Sequence, residues 1–236
     1  MVRHGQASFG QTNYDKLSEM GERQSSVLGK YWADHGVKLD AVYSGTLARQ
    51  TKTCELAKAE YERAGLDFPD MVEMPAFNEY DTAGILSGSV PEIMASHPEI
   101  MKLMKELAPD GEIDLKGNKK TFQRMFGQVM DLWVEGKIDV DGLESWQDFY
   151  RRVTDGLKDI MEKAGSGKNI AVFTSGGPIS AAMQMALSTP DKVSMSLGWV
   201  IMNTSVSEFM FSGPRFTLSG FNCRCHLTDD SLLTYR

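Results

Sequence analysis

Arg3-His4-Gly5, Ser44 to Arg49, Glu79 and Ser175-Gly176-Gly177 are the four short stretches of this chain whose residue types combine into chemistry. Each falls at what reads as the carboxyl end of a strand, which is where sites gather in open α/β sheets. Two arginines meeting at one point in an acidic protein need an anion, and their planar forks suit a phosphoryl group. A histidine beside them can be a nucleophile, because a phosphohistidine splits a hard hydrolysis into two steps. A glutamate opposite can protonate the leaving oxygen and later activate water. The glycine-rich turn before a helix is suited to cradle an anion. Taken singly, each has an ordinary alternative, such as a hydrogen-bonded surface histidine or an ion-paired arginine on a helix. Their shared location is what gives them weight.

The elements that must position these residues follow from patterning. The first residues form the end of a strand, and Gly5 to Lys16 reads as a loop. Ser18 caps a helix running to about His35, and Gly36 stops it. Leu39 to Tyr43 is a short buried strand, followed by Ser44-Gly45-Thr46 and a helix to about Ala64. Met71 to Met74 is a weak strand and Phe77 to Gly88 a loop. Residues 89–118 break the alternation: Pro91, Pro98 and Pro109 punctuate short helices carrying Met94, Met101 and Met104. This stretch reads either as an inserted cap or as core padding, since methionine fills gaps. Helices follow at 120–135 and 145–164. Asn169 to Thr174 is a central strand by its apolar run, and a helix begins at Pro178. Ser205 to Phe211 and Phe216 to Phe221 are a final pair of strands around Gly213-Pro214. Strands alternating with helices argue for an α/β fold with a mostly parallel sheet.

Composition narrows the classes. With 25 basic and 32 acidic residues the net charge is −7, the reverse of what a non-specific nucleic-acid binder shows. No segment approaches 18 uninterrupted apolar residues, so no transmembrane helix and no membrane partner are expected. The N-terminus has no apolar h-region, so no signal peptide is expected. Three cysteines do not make a disulfide framework, and a reduced, cytoplasmic protein is the simplest expectation. Cys223-Arg224-Cys225-His226 has neither zinc nor haem spacing, so no metal is expected.

At the four clusters the chain resembles a known family. Arg3-His4-Gly5-Gln6 is similar to the RHG signature of the histidine phosphatase superfamily, the phosphoglycerate mutase-like family. Leu17-Ser18, Gly21 and Gln24 resemble its "LSxxGxxQ" helix start. Val42 to Arg49, then Thr53, resembles its "vysSpLxRAxxT" stretch. Asn78-Glu79 stands in the place of its acid loop. Ala171 to Ile179 resembles its "vvsHGGvI" strand and turn. Asn203 to Val206 and Asn222 to Leu227 resemble its C-terminal strands and "N…HL" ending. The resemblance implies a three-layer αβα sandwich with a mostly parallel central sheet, one domain over 1–236, and a helical cap insertion at about 84–118 that meets the non-phosphate part of the substrate. It also implies that His4 becomes phosphorylated and that Arg3 and Arg49 bind phosphate. Glu79 is then the proton donor, with Asp81 as the lesser candidate.

Three departures stand out. The family's second histidine, in "HGG", is Ser175 here, which can donate a hydrogen bond but carries no charge. A charge-assisted bond is about twice as strong as a neutral one, so one to two decades in rate are at stake, by rough estimate. His35, His97 and His226 are the histidines left to substitute in space. The asparagine of "RHGxxxxN" is Gly10, with Asn13 nearby in the wrong register. Only two residues precede Arg3, so either the start is truncated or the first strand is very short. The function expected is a metal-independent phosphomonoester hydrolase working through a phosphohistidine. Arg3, Arg49, Ser175 and Gly176 would hold the phosphoryl oxygens, with His4 and Glu79 catalytic and no cofactor. The rival readings are a phosphoglycerate mutase and a non-catalytic phosphate-ester-binding protein on a degraded scaffold. The partners expected are a small phosphorylated substrate and, as an assembly, a homodimer.

Overall fold

A computed structural model describes residues 1–8, 15–108 and 118–235. Gly10, Asn13 and Pro109 lie outside the described residues. The chain divides into two compact units, Met1–Glu79 with Arg151–Arg236, and Tyr80–Tyr150.

The first unit holds a six-stranded sheet, in the order β3-β2-β4-β1-β5-β6. Its strands are β1 (Val2–Arg3), β2 (Ala41–Ser44), β3 (Met71–Glu73), β4 (Ile170–Thr174), β5 (Val206–Ser212) and β6 (Arg215–Cys223). The first four run parallel, and β5 and β6 add an antiparallel hairpin at the β1 edge. The register Val2↔Phe173 and Arg3↔Thr174 is decisive, because it puts His4 and Ser175 one step beyond the ends of adjacent parallel strands. The two-residue β1 survives because both of its edges are paired, to β4 and to β5.

Helices cover both faces. Helices α1 (Glu19–Asp34) and α2 (Ala48–Arg63) bury Leu28, Cys54 and Ala57 against Val2, Val42, Ala171 and Phe173. On the opposite face Ile179 and Met183 pack with Ile201, Met1, Phe209, Leu218 and Phe221. Adjacent residues Met1 and Val2 thus serve opposite faces, as strand geometry dictates. The result is the expected α/β sandwich of three layers around a mostly parallel sheet.

Ser18 caps α1 as its sequence position implies, its hydroxyl accepting from the Gly21 amide at 3.1 Å, and Gly36 follows the helix with φ of 64°. The helix expected to open at Pro178 begins two residues earlier. It is α8 (Gly176–Leu187). A further helix, α9 (Asp191–Gly198), was not expected; its sequence has too weak a period to stand out from a loop.

The second unit contains α3 (Thr82–Gly88), α4 (Val90–Ser96), α5 (Pro98–Leu107), α6 (Lys119–Val134) and the first turns of α7 (Trp146–Ala164). Residues 84–118 fall inside it. The expected loop over 77–88 is instead a single 3-10 turn at Pro75–Phe77 followed by α3, whose start is capped by Asp81 accepting from the Gly84 amide at 2.9 Å. Two glycines in α3 concealed it from a propensity reading. Its core is made by Ile85, Ile93, Ile100 and Leu103, with an aromatic group of Tyr80, Trp133, Trp146 and Phe149 at centroid separations of 5.0–5.7 Å. Met101 and Met104 are only half-buried, so the branched aliphatic residues fill this interior. No helix among the described residues is long and apolar enough to cross a membrane.

Helices α1 and α2 approach each other closely at Gly29. A Cβ there would sit 2.5 Å from the Ala57 Cα and 2.6 Å from its carbonyl oxygen. Replacing a helical glycine by alanine ordinarily stabilises by about 0.5–1 kcal/mol. At Gly29 overpacking reverses the sign, and Gly29→Ala is expected to cost about 1–3 kcal/mol in urea unfolding. A variant as stable as the parent would show that the helices do not meet at this distance.

Candidate active site

The chain leaves the sheet at His4, and its backbone is then held almost entirely by side chains. The His4 amide donates to the Thr174 carbonyl at 2.8 Å, continuing the β1–β4 ladder by one residue. The His4 carbonyl accepts from Asn203 Nδ2 at 3.1 Å. The Gly5 amide donates to Thr53 Oγ1 at 3.0 Å and the Gln6 amide to Gln24 Oε1 at 2.9 Å. Gln24, Thr53, Asn203 and Thr204 are buried, so each satisfies a backbone group that water cannot reach. Gly5 is required by space. A Cβ there would lie 2.3 Å from the Gly21 carbonyl oxygen, and one on Gly21 would lie 2.1 Å from the Gln6 carbonyl oxygen. Thr204 takes φ of 57°, rare for a β-branched residue, and its amide thereby meets the Arg3 carbonyl at 3.0 Å.

The state of His4 follows from its partners. Nδ1 lies 2.6 Å from the Gly5 carbonyl, which can only accept, so Nδ1 carries the proton. Nε2 accepts from Arg49 Nε at 3.2 Å, so its lone pair faces the guanidinium. Burial, then Arg49, then Arg3 push the imidazole well below its ordinary pKa of 6.5, against the pull of the Gly5 carbonyl. His4 is therefore a neutral imidazole with an unprotonated Nε2, the form a nucleophile needs.

Arg49 is buried at the start of α2 and shared between two groups. Its Nη1 pairs with Asp15 Oδ1 at 2.6 Å while its Nε serves His4. The second Asp15 oxygen accepts from the Ala48 amide at 2.8 Å, at a helix N-terminus that favours negative charge. Arg3 reaches across the sheet edge to the Ile201 carbonyl. Both guanidiniums act on His4, so the structure brings Arg3, His4 and Arg49 together as the sequence implied.

Glu79 reaches the same region by the loop after β3. Asn78 ties that loop to the one before α2: its Oδ1 accepts from the Thr46 amide at 2.6 Å and its Nδ2 donates to Thr46 Oγ1 at 2.7 Å. The Arg152 guanidinium donates to the carbonyls of Pro75, Ala76 and Asn78 at 2.9–3.2 Å. Glu79 Oε2 then accepts from the Gly177 amide at 3.1 Å. The carboxylate thus stands at the first turn of α8, beside Ser175 and Gly176. Asp81 is absorbed in capping α3.

Ser175 is fully buried, and its hydroxyl accepts from Gln50 Nε2 at 2.8 Å. Asp15, Gln50 and Asn203 are the residues the sequence reading missed. For Gln50 a signal existed, because it stands where the family's pattern has the alanine after the arginine. Asp15 sat unmarked in a polar loop, and only folding carries it to Arg49. Of the reserve histidines in the same unit, neither takes the place beside Ser175: His226 bonds Thr204 Oγ1 at 3.1 Å and His35 caps its own helix through Tyr31, while His97, in the other unit, pairs with Glu99. Among the described residues no group of three or more His, Cys, Asp or Glu is arranged to hold a metal ion.

His226 is also held neutral, its pKa pushed down to about 4 by burial. As pH falls through 6.5 the unfolded chain takes up protons that native His4 and His226 refuse, so stability falls with pH, for His226 until about 4. Each such histidine adds up to about 1.4 kcal/mol per pH unit. Urea unfolding is expected to show lower stability near pH 5.5 than near pH 7.5, and His226→Gln should remove part of the difference. An unchanged pH dependence would show that His226 titrates normally in the native state.

Comparison with known proteins places this geometry in context. A 2,3-bisphosphoglycerate-dependent phosphoglycerate mutase of Rhizobium meliloti (strain 1021) is 32% identical over 94 residues, which cover 37% of this chain and 43% of the mutase. The similar stretch therefore spans less than half of that relative. A phosphoglycerate mutase structure from Bacillus anthracis str. Sterne superposes with a TM-score of 0.62 at 18% identity, over 94% of this chain and 90% of that one. A mycobacterial glucosyl-3-phosphoglycerate phosphatase in complex with VO3 gives 0.60 at 19% identity, over 95% and 98%. These structures share the fold. The family model of the histidine phosphatase superfamily (branch 1) matches residues 1–116 and 113–224, and with nearly its whole length so matched the chain belongs to that superfamily.

Proposed function

We propose that the protein is a histidine phosphatase that hydrolyses a small phosphomonoester through a phosphohistidine and without a metal. The observation that carries this reading is the neutral, Nδ1-protonated His4 with its Nε2 lone pair against Arg49. Arg3 and Arg49 would bind the phosphoryl oxygens, with Ser175 and the Gly176 backbone as neutral partners. Nε2 attacks phosphorus in line with the ester oxygen, the P–O bond breaks, and Glu79 gives its proton to the departing alkoxide. Glu79, now a carboxylate, takes a proton from water as that water attacks phosphorus. The P–N bond breaks, phosphate leaves, and His4 returns to its neutral form. Family membership and the mutase and phosphatase relatives support phosphoryl chemistry of this class.

Two other readings compete. A mutase would depend on a bisphosphoglycerate primer for turnover. A binding protein, suggested by Ser175 in the second histidine's place, would hold a phosphate ester without turnover.

Rapid quenching without acid should trap an acid-labile phosphoryl group on the protein during turnover of an aryl phosphate. His4→Ala is expected to lose both label and turnover. Equal activity in the variant would remove the nucleophile assignment. Ser175→His tests the departure directly. The buried Gln50 amide lies 2.8 Å from the Ser175 hydroxyl, so a larger imidazole would have to displace it. Overpacking of this kind is expected to lower kcat/KM several-fold rather than raise it. A tenfold gain in a normally folded variant would mean that Gln50 yields the space freely.

A further inference from the structure

We infer that Gln50 is a positioning residue: its side-chain amide fixes the rotation of the Ser175 hydroxyl so that the hydroxyl proton is directed to a bound phosphoryl oxygen.

The orientation of the Gln50 amide is dictated by what surrounds it. Nε2 lies 3.0 Å from the Phe77 carbonyl, which can only accept, and Oε1 lies 3.3 Å from the Leu47 amide, which can only donate. A flipped amide would set donor against donor and acceptor against acceptor. The second Nε2 hydrogen therefore points to Ser175 Oγ, at 2.8 Å, and Ser175 must accept it. A serine that accepts from a fixed donor has its own proton left to give. Among the described residues no acceptor takes that proton, although Ser175 is fully buried. Its neighbour across the β1–β4 register is His4, so the free donor belongs to the same strand ends as the imidazole. Phe77 does not need Gln50, because Thr174 Oγ1 also donates to its carbonyl at 2.7 Å. Gln50 also accepts from the Leu47 amide at the start of α2, and its donation to Ser175 is the contact that reaches the site.

Gly45 makes the arrangement possible. A Cβ at Gly45 would lie 2.0 Å from Gln50 Oε1 and 2.8 Å from its amide carbon. Gln50 is itself fully buried and cannot swing aside into solvent. Gly45, Gln50 and Ser175 thus form one unit in which a neutral donor is aimed without a charge.

The inference rests on the proposed function for its kinetic reading, so the test carries a second readout that does not. Ser175→Ala, Gln50→Met and the double variant are compared for kcat/KM on an aryl phosphate and for affinity for inorganic phosphate by calorimetry. One well-aimed neutral hydrogen bond corresponds to about a tenfold loss for Ser175→Ala, and a misaimed one to about three- to tenfold for Gln50→Met. The double variant should match Ser175→Ala alone, because Gln50 has nothing to aim once the hydroxyl is gone. Losses that multiply in the double variant, or a Ser175→Ala protein equal to the parent in both readouts, would overturn the inference. Gln50→Leu guards against a poorly folded methionine variant, because it removes the donor to Ser175 without burying a charge at this fully buried position. It should lose as much as Gln50→Met, and full activity and affinity in both variants would also overturn the inference. If the parent protein binds phosphate but turns over no ester, the proposed function fails and the phosphate affinities alone decide the role of Gln50.

Discussion

The structure depends on how the backbone from Arg3 to Gln6 is held after it runs off the end of β1. A strand of two residues offers little ladder, and beyond it the peptide groups are buried where water cannot satisfy them. Asn203, Thr53 and Gln24 take these groups one by one, and the Thr204 amide takes the Arg3 carbonyl. The side chains come from α1, α2 and the turn before β5, so the three segments are tied to the same four residues. Gly5 and Gly21 remain glycine because the two backbones touch there. The imidazole of His4 is placed by this clamp together with its own contacts to the Gly5 carbonyl and Arg49.

Electrostatics follow from that placement. Burial and the two guanidiniums keep the imidazole neutral, and Asp15 supplies a counter-charge to Arg49. Asp15 binds Arg49 and the Ala48 amide at once, so the cation is oriented by the same contact that starts α2. Glu79 is oriented by the Gly177 amide, and its loop by Arg152 and Asn78. Each charged group at the site is aimed by a backbone hydrogen bond or by a partner of opposite sign. Such groups reorganise little when charge moves, which is the physical basis of electrostatic catalysis.

Ser175 changes the character of one wall of this site. An imidazole there would bring a charge and fill space. The serine brings neither, and Gln50 donates to it from α2, over a glycine that leaves room for the amide. Ser175 is thus in contact with Gln50, and Gln50 in turn lies against Gly45.

The sequence by itself determined the class of fold and most of the candidate site. Alternating apolar runs and capped helices are local properties, so β2, β4, α1 and α2 were legible within a few residues, as was the convergence of Arg3, His4, Arg49 and Glu79. Helices α3 and α9 were not, because glycine and short length erase their period and only packing supports them. What the tertiary structure alone decided is which polar atoms meet. Asp15 reaches Arg49 across 34 positions and Gln50 reaches Ser175 across 125, and no local pattern encodes such contacts. The tautomer of His4 is decided in the same way, by a carbonyl on one side and a guanidinium on the other. Hydrogen bonds between distant residues depend on distances that only the packed chain sets, whereas helix and strand signals are written in neighbouring residues.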